Sequence, residues 1–279
     1  MLVNLKTILD MAEKGGYAIP AFNVYNMESV IGVLAAAEEM KAPIIMQVYP
    51  RLMKEETGYF LSPVIKAATE KASVPVCFHL DHGPSELETT RSIRYGATGI
   101  MLDGSTLPFE ENIALTKRVV ENCSYLDIQV EGELGHVGMT SDENEDEFTT
   151  AKDAKRFVEE TGVACLAVAV GTAHGRYKKP PKLDIERIRE IRKETNNVPL
   201  VLHGGSGVPD DEIKKAVAAG IRKMNFATDI CYAFLDTCLE ELQKPQRAIA
   251  IDTFMKKPIE AVKDFCITRI KLVSADGKA

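Results

Sequence analysis

No run of about 18 apolar residues occurs in the sequence, so a membrane-spanning helix is not expected. The N-terminal stretch MLVNLKTILDMAEKGG has no basic segment followed by an apolar run and a small-residue cleavage site, so a secretory signal is not expected either. The 6 cysteines (Cys77, Cys123, Cys165, Cys231, Cys238 and Cys266) are scattered, with no CxxC pair. That pattern speaks for small buried hydrophobes in a reducing compartment rather than a disulfide framework. Positive charge is in deficit: 34 Lys and Arg stand against 41 Asp and Glu, a formal net charge of −7. An acidic surface argues against general nucleic-acid or anionic-membrane binding, while leaving room for a local basic pocket for a phosphate. A cytoplasmic protein is expected. Low-complexity segments and internal linkers are also lacking, so residues 1–279 are read as a single domain. The hydrophobic content of 45% is enough for one large core, and α/β barrels of about 250 residues are common single domains.

What is present is an alternation. Short apolar runs, usually opened by Pro or Gly, alternate with longer segments of helical period. The runs are YAIPAFNV (17–24), PIIMQVY (43–49), VPVCFHLD (74–81), GIMLDG (99–104), LDIQVEGEL (126–134), CLAVAV (165–170), VPLVLHG (198–204) and IRKMNFAT (221–228). Continuous hydrophobicity suits parallel strands buried on both faces. Residues 27–40 carry Val30, Leu34 and Ala37 at helical spacing, with Asn26 as a candidate N-cap. Residues 209–219 open with Pro209 and stop at Gly220, and 108–121 and 184–194 read as helices in the same way. Eight strand–helix units predict a closed (β/α)₈ TIM barrel rather than an open doubly wound sheet. A further helix near 253–273 is predicted to pack outside the repeat. Residues 135–150, GHVGMTSDENEDEFTT, form a long acidic connection after the fifth strand, of a length associated with function.

Active sites of such barrels lie at the C-terminal strand ends. Those ends carry Asn23, Asp81 and His82, Asp103, Glu131 and Glu133, His174, His203 and Ser206, then Asn225, Thr228 and Asp229. Only 5 histidines occur in the chain, and His82, His174 and His203 all fall at such ends. Three imidazoles with an open fourth position are a catalytic zinc arrangement, so these three are predicted to hold one divalent metal ion. His79, three residues before His82, is predicted to point to the opposite side of its strand as a structural residue. His136, in the acidic loop, is a weaker candidate for substrate contact. HGGSG after strand 7 and NFATD after strand 8 occupy the usual phosphate position of this fold: Gly204, Gly205 and Gly207 permit close backbone approach, and Ser206 adds a hydroxyl.

HLDHG, LDGS, EGELG, GTAHG, LHGGSG and NFATD, in this order and spacing, resemble the class II, metal-dependent ketose-bisphosphate aldolases. The resemblance runs from PAFNVYN to SADGKA, and the short length and GTAHG resemble the subgroup with fructose- and tagatose-bisphosphate aldolases and the aldolases of inositol and sugar-acid breakdown. It implies a lyase that reversibly cleaves a ketose 1,6-bisphosphate to dihydroxyacetone phosphate and an aldehyde such as glyceraldehyde 3-phosphate. His82, His174 and His203 match its zinc ligands, and Asp81 matches the acid/base that exchanges a proton with the C4 hydroxyl. Gly175, Gly204, Gly205, Ser206, Asn225, Phe226, Ala227 and Thr228 match positions holding the dihydroxyacetone phosphate moiety. Backbone carbonyls near Gly175 and Gly204 match a monovalent-cation site (Na⁺ or K⁺). Asp103 and Glu133 match positions of a second or displaced metal, and Asn23 matches a site residue on strand 1. A homodimer or homotetramer is implied.

The chemistry agrees. Breaking the C3–C4 bond leaves a carbanion, and a metal acting as Lewis acid spreads that charge without a Schiff-base lysine; no lysine ends CLAVAV. Three positions depart from the family's pattern. Tyr49 stands where many relatives have a small residue. GMTSDE replaces GGxED, so Ser141 falls at the glutamate position, with Asp142 or Glu143 as the second proton-transfer group. Arg247, in KPQRA, is the candidate for an arginine contributed by a neighbouring subunit to the distal phosphate. The alternatives are the same chemistry on a phosphorylated sugar acid, a non-catalytic sugar-phosphate-binding barrel, or a metal-dependent hydrolase on the same fold.

Overall fold

Each of the eight apolar runs forms a strand in the computed structural model, which describes residues 1–135, 148–173, 181–245 and 250–279. The strands are β1 (Ile19–Asn23), β2 (Ile44–Val48), β3 (Val76–Gly83), β4 (Gly99–Leu102), β5 (Gln129–Leu134), β6 (Cys165–Val168), β7 (Leu200–Leu202) and β8 (Ile221–Phe226). They close in sequence order into a barrel, β8 pairing back onto β1, and every pair is parallel. Helices follow the strands: α2 (Met27–Met40), α3 (Pro50–Lys54) with α4 (Glu56–Lys71), α5 (Glu86–Arg94), α6 (Phe109–Ser124), α7 (Ala151–Thr161), α8 (Ile185–Glu194), α9 (Asp210–Ala219) and α10 (Thr228–Gln243). Chain order is completed by α1 (Leu5–Gly15) before β1 and by α11 (Ile251–Phe254) and α12 (Lys256–Leu272) at the end. This is the expected (β/α)₈ TIM barrel with its extra C-terminal helix.

Local chemistry sets several boundaries. The Asn26 side chain accepts from the Ser29 backbone N–H, and the Ser29 hydroxyl accepts from the Asn26 N–H, a capping box that starts α2 at Met27. Pro209 precedes α9, and Gly220 stops it in a positive-φ conformation. Helix α1, to which the sequence analysis assigned no element, buries Leu5, Ile8, Leu9 and Ala12 across the N-terminal ends of the strands. Helix α12 packs between α2 and α10 and reaches β1, outside the repeat as expected.

Strand alternation divides the buried residues into two layers. Phe22, Leu80, Val130, Leu166, Leu202 and Phe226 face the helices, where Phe226 packs on Phe22 and on Phe265 of α12, with ring centroids 5.8 and 6.4 Å apart. The other set turns into the barrel. Toward the C-terminal end that interior is polar: Asn23, Gln47, His79, Asp81, Glu131, Glu133, His203, Lys223 and Asn225 are all buried.

Candidate active site

The site begins with a break in β3. From Leu80 to Gly83 this strand advances three residues while its partner β4 advances two, Ile100 to Leu102. The extra residue makes a bulge, and His82 there adopts φ 51°. Strict alternation would send His82 toward the helices, opposite Asp81. The left-handed turn instead carries its ring over the barrel mouth. His79 then shares the inward face with Asp81, contrary to the expectation that it points away. Its Nε2 lies 3.5 Å from Glu131 Oε2, and neither ring nitrogen makes a hydrogen bond among the described residues. Burial and the Lys223 ammonium push the His79 pKa down to about 3, so this imidazole is neutral.

His82 and His203 meet edge to face, with centroids 4.6 Å apart. His82 Nδ1 lies 2.7 Å from Asp103 Oδ2, and His203 Nε2 lies 2.9 Å from Glu131 Oε1. Ionised carboxylates only accept hydrogen bonds, so each of these ring nitrogens carries a hydrogen. The remaining nitrogens, His82 Nε2 and His203 Nδ1, face one another at 2.9 Å. Two imidazole lone pairs at that separation repel unless a proton or a metal cation lies between them. Carboxylates that fix ligand histidines in this way are the usual outer shell of metal sites. Glu133 Oε2 stands 3.7 Å from His82 Nδ1 and 3.5 Å from His203 Nδ1. Asp81, His82 and His203 therefore offer ligand atoms within 4.8 Å of one another, as do His82, Asp103 and Glu133. The donor set fits a divalent cation.

The electrostatics point the same way. Burial alone would lower the pKa of His82, but the carboxylates of Asp81, Asp103 and Glu133 outweigh it and push it up to about 10. Burial likewise works against ionised Asp103, yet bonds from His82 and from the Ser105 hydroxyl and backbone N–H hold its pKa well below the usual carboxylate range. The locus favours positive charge, whether proton or metal.

Asp81, 1% exposed, is gripped from both sides. Asn23 Nδ2 donates to Oδ2 at 2.8 Å, and Asn225 Nδ2 donates to Oδ1 at 3.0 Å. Gln47 Nε2 in turn donates to Asn23 Oδ1 at 2.8 Å. Asp81 Oδ1 is 3.9 Å from His82 Nε2. Beside this carboxylate a small cavity is lined by Asn23, Tyr49, Gly204, Gly205, Ser206, Asn225, Ala227 and Thr228. A side chain at Gly204, which has φ 65°, would collide with the Ala173 carbonyl. One at Gly205 would lie 2.8 Å from the Asn225 carbonyl oxygen, so Gly204 lets the end of β7 approach the segment after β6, and Gly205 lets it approach β8. The Ser206 hydroxyl accepts from the Asp229 N–H in the first turn of α10. The Tyr49 ring lies parallel to His82 at 6.1 Å, with the Arg51 guanidinium 5.1 Å above it.

The structure thus brings together Asn23, Asp81, His82, Asp103, Glu133, His203, Gly204, Gly205, Ser206, Asn225, Ala227 and Thr228. Phe226 is the exception: its side chain faces the helical layer, leaving only its backbone near the site. His174, Gly175, Asp142, Glu143 and Arg247, together with His136 and Ser141, lie outside the described residues. Sequence reasoning passed over Lys223 and Gln47. A lysine or glutamine inside an otherwise apolar, two-side-buried strand was the available signal.

The family model for "Fructose-bisphosphate aldolase class-II" matches residues 3–278. The chain belongs to this family. It is an aldolase, and its family is generally metal-dependent. Among solved structures, this aldolase is similar to the YdjI aldolase of Escherichia coli K12, with a TM-score of 0.90, 36% identity and 100% of each chain covered. It is also similar to a Coccidioides immitis structure provisionally assigned as a fructose-1,6-biphosphate aldolase, with a TM-score of 0.88 and 27% identity over 99% of this chain and 97% of that one. The fructose-bisphosphate aldolase of Campylobacter jejuni shares the fold, at a TM-score of 0.84 and 23% identity over 100% and 97%. Among the described residues no helix is long and apolar enough to cross a membrane.

Proposed function

We propose that this aldolase reversibly cleaves a ketose 1,6-bisphosphate of the fructose or tagatose type to dihydroxyacetone phosphate and an aldehyde such as glyceraldehyde 3-phosphate. The observation that carries this reading is Asp81, held by two amide donors beside the converging nitrogens of His82 and His203. Asp81 takes the proton of the C4 hydroxyl as the C3–C4 bond breaks and returns it in the condensation direction. His82 and His203, with His174, hold a divalent metal, for which imidazole ligation favours zinc. Bound there, the ion supplies Lewis-acid polarisation of the ketone and stabilises the charge left on the three-carbon fragment.

The chain's own groups do the rest. Asp103 and Glu131 keep the two rings in the tautomers that present a lone pair inward. Gly204, Gly205 and Ser206 after β7, with Ala227 and Thr228 at the start of α10, receive the phosphate through backbone N–H groups and hydroxyls. Asn23 and Asn225 orient Asp81 at the wall of the same cavity. Asp103 and Glu133, both near His82, provide a second position for the metal, and the backbone of Gly204 contributes to a Na⁺ or K⁺ site. Exposed Leu235, Leu239 and Leu242 on α10 support a homo-oligomer, and the enzyme is placed in the cytoplasm.

The test is triose phosphate release from fructose 1,6-bisphosphate, tagatose 1,6-bisphosphate and a phosphorylated deoxy-dehydrogluconate, before and after chelation. Release from a bisphosphate that is lost on chelation and restored by zinc is expected. Preference for the sugar acid overturns the substrate assignment, and no release from any ketose phosphate favours a binding protein.

A further inference from the structure

Beneath the proposed metal ligands lies a cation that the protein supplies itself. Lys223, on β8, is 0% exposed. Its ammonium lies 2.8 Å from Glu131 Oε2 and donates to Asn225 Oδ1 at 2.8 Å. The other Glu131 oxygen, Oε1, is the atom that holds His203 Nε2 at 2.9 Å. The other end of the Asn225 amide, Nδ2, is the group that donates to Asp81 Oδ1 at 3.0 Å.

We propose that Lys223 is a positioning residue whose buried ammonium orients His203 through Glu131 and Asp81 through Asn225. An ammonium has donors and no acceptor. Asn225 must therefore turn its oxygen toward Lys223, which leaves its NH₂ for Asp81. A flipped amide would set its oxygen against a carboxylate oxygen. The same ammonium anchors Glu131, whose free oxygen then takes the His203 Nε2 hydrogen and leaves Nδ1 facing His82. One fixed charge thus sets an amide flip, a ring tautomer and, through them, two functional groups on β3 and β7. Asn23 and Gln47 hold the far Asp81 oxygen through neutral amides alone, so the Lys223 side is the half of the clamp with a charge behind it.

This inference rests on the roles proposed above for Asp81 and His203, so its test separates the two. In K223M the carboxylate of Glu131 is left buried without its counter-charge, and the protein is expected to melt lower. The double variant K223M/E131Q removes that imbalance and is expected to recover most of the lost melting temperature. Three readouts are taken on both: zinc affinity by chelator competition, kcat and KM for ketose cleavage, and the imidazole ¹⁵N shifts of His203 in metal-free protein. In K223M zinc affinity is expected to fall 10- to 100-fold, kcat at saturating zinc to fall at least tenfold with KM within about twofold, and His203 to lose its single Nε2–H signature. In the double variant kcat is expected to stay low, because Asn225 still lacks its anchor. A single Nε2–H signature together with near-wild-type kcat in K223M overturns the proposal. So does a double variant that regains kcat along with melting temperature, since Lys223 would then only balance charge. If D81N and H203A in the wild-type background leave cleavage intact, the reading of the site has failed, while the ¹⁵N shifts still report on Lys223.

Discussion

The two buried layers of this barrel are equally shielded from water and opposite in chemistry. Between strands and helices, Phe22, Leu80, Phe157 and Phe226 are buried among other apolar side chains. Inside the upper barrel, Asp81, Glu131, His203 and Lys223 are just as buried, and the polar atoms of these four side chains are each bound to a neighbour. The outer layer draws on area: burying a large apolar side chain contributes about 1.5–3 kcal/mol. The inner layer contributes little net stability, because the attraction within a buried ion pair is offset by the cost of removing both charges from water. What it contributes is fixed orientation. The difference implies that substitutions in the two layers fail differently, inner ones losing turnover and outer ones losing fold.

The sharpest test is metal removal. Dialysis against a chelator should abolish cleavage, and zinc should restore it. A ligand at about 1,000 times its Kd stabilises a protein by about 4 kcal/mol, so differential scanning fluorimetry should also show a fall of roughly 7 °C in Tm. Loss of activity without any change in Tm would mean that the inner layer does not bind the ion. Next is D81N, which keeps the size and shape of the side chain while removing the base and one of its two acceptor oxygens. Steady-state kcat should drop by about 10²- to 10⁴-fold, with secondary structure by circular dichroism unchanged. Retained turnover would transfer the proton-transfer role elsewhere.

Phe157→Ala is the counterpart in the outer layer. Phe157 is 0% exposed and lies under α7 against β5. Its truncation should cost about 3–5 kcal/mol in urea unfolding while the folded fraction keeps wild-type kcat. Smaller still, Asn26→Ala removes the α2 cap and should cost about 1 kcal/mol, again without touching kcat. The weakest effect expected is on thiol reactivity. Burial pushes the Cys77 pKa up to about 12 and that of Cys123 to about 11, one thiol in each layer. Iodoacetamide at pH 8 should leave both unmodified, as well as buried Cys165 and Cys266, and confine labelling to Cys231 and Cys238 by mass spectrometry. Labelling of Cys77 in native protein would show that the inner layer opens.

Much of the site was legible early because barrel strands end at one rim. Asn23, Asp81, Asp103, Glu133, His203 and Asn225 could each be placed from the position of a polar residue at the close of an apolar run. The β3 bulge was not legible. His82 could be assigned to the rim, but the reason it reaches the site is that bulge, and nothing in HLDHG announces a positive φ at a histidine. Phe226 shares the NFATD motif with Asn225, and alternation turns its ring to the helices while its backbone stays at the site.

By itself the sequence determined the eight strands, the caps of α2 and α9 and, outside the β3 bulge, the face of each strand on which a residue lies, because helical and strand periods are local properties of the chain. Which inward residues meet was decided only by the closed barrel. Lys223 and Glu131 are far apart in sequence and on strands that are not neighbours, and His82 and His203 face each other across the mouth. Their pairing depends on the tilt and stagger with which the strands close, a condition on the whole sheet rather than on any segment.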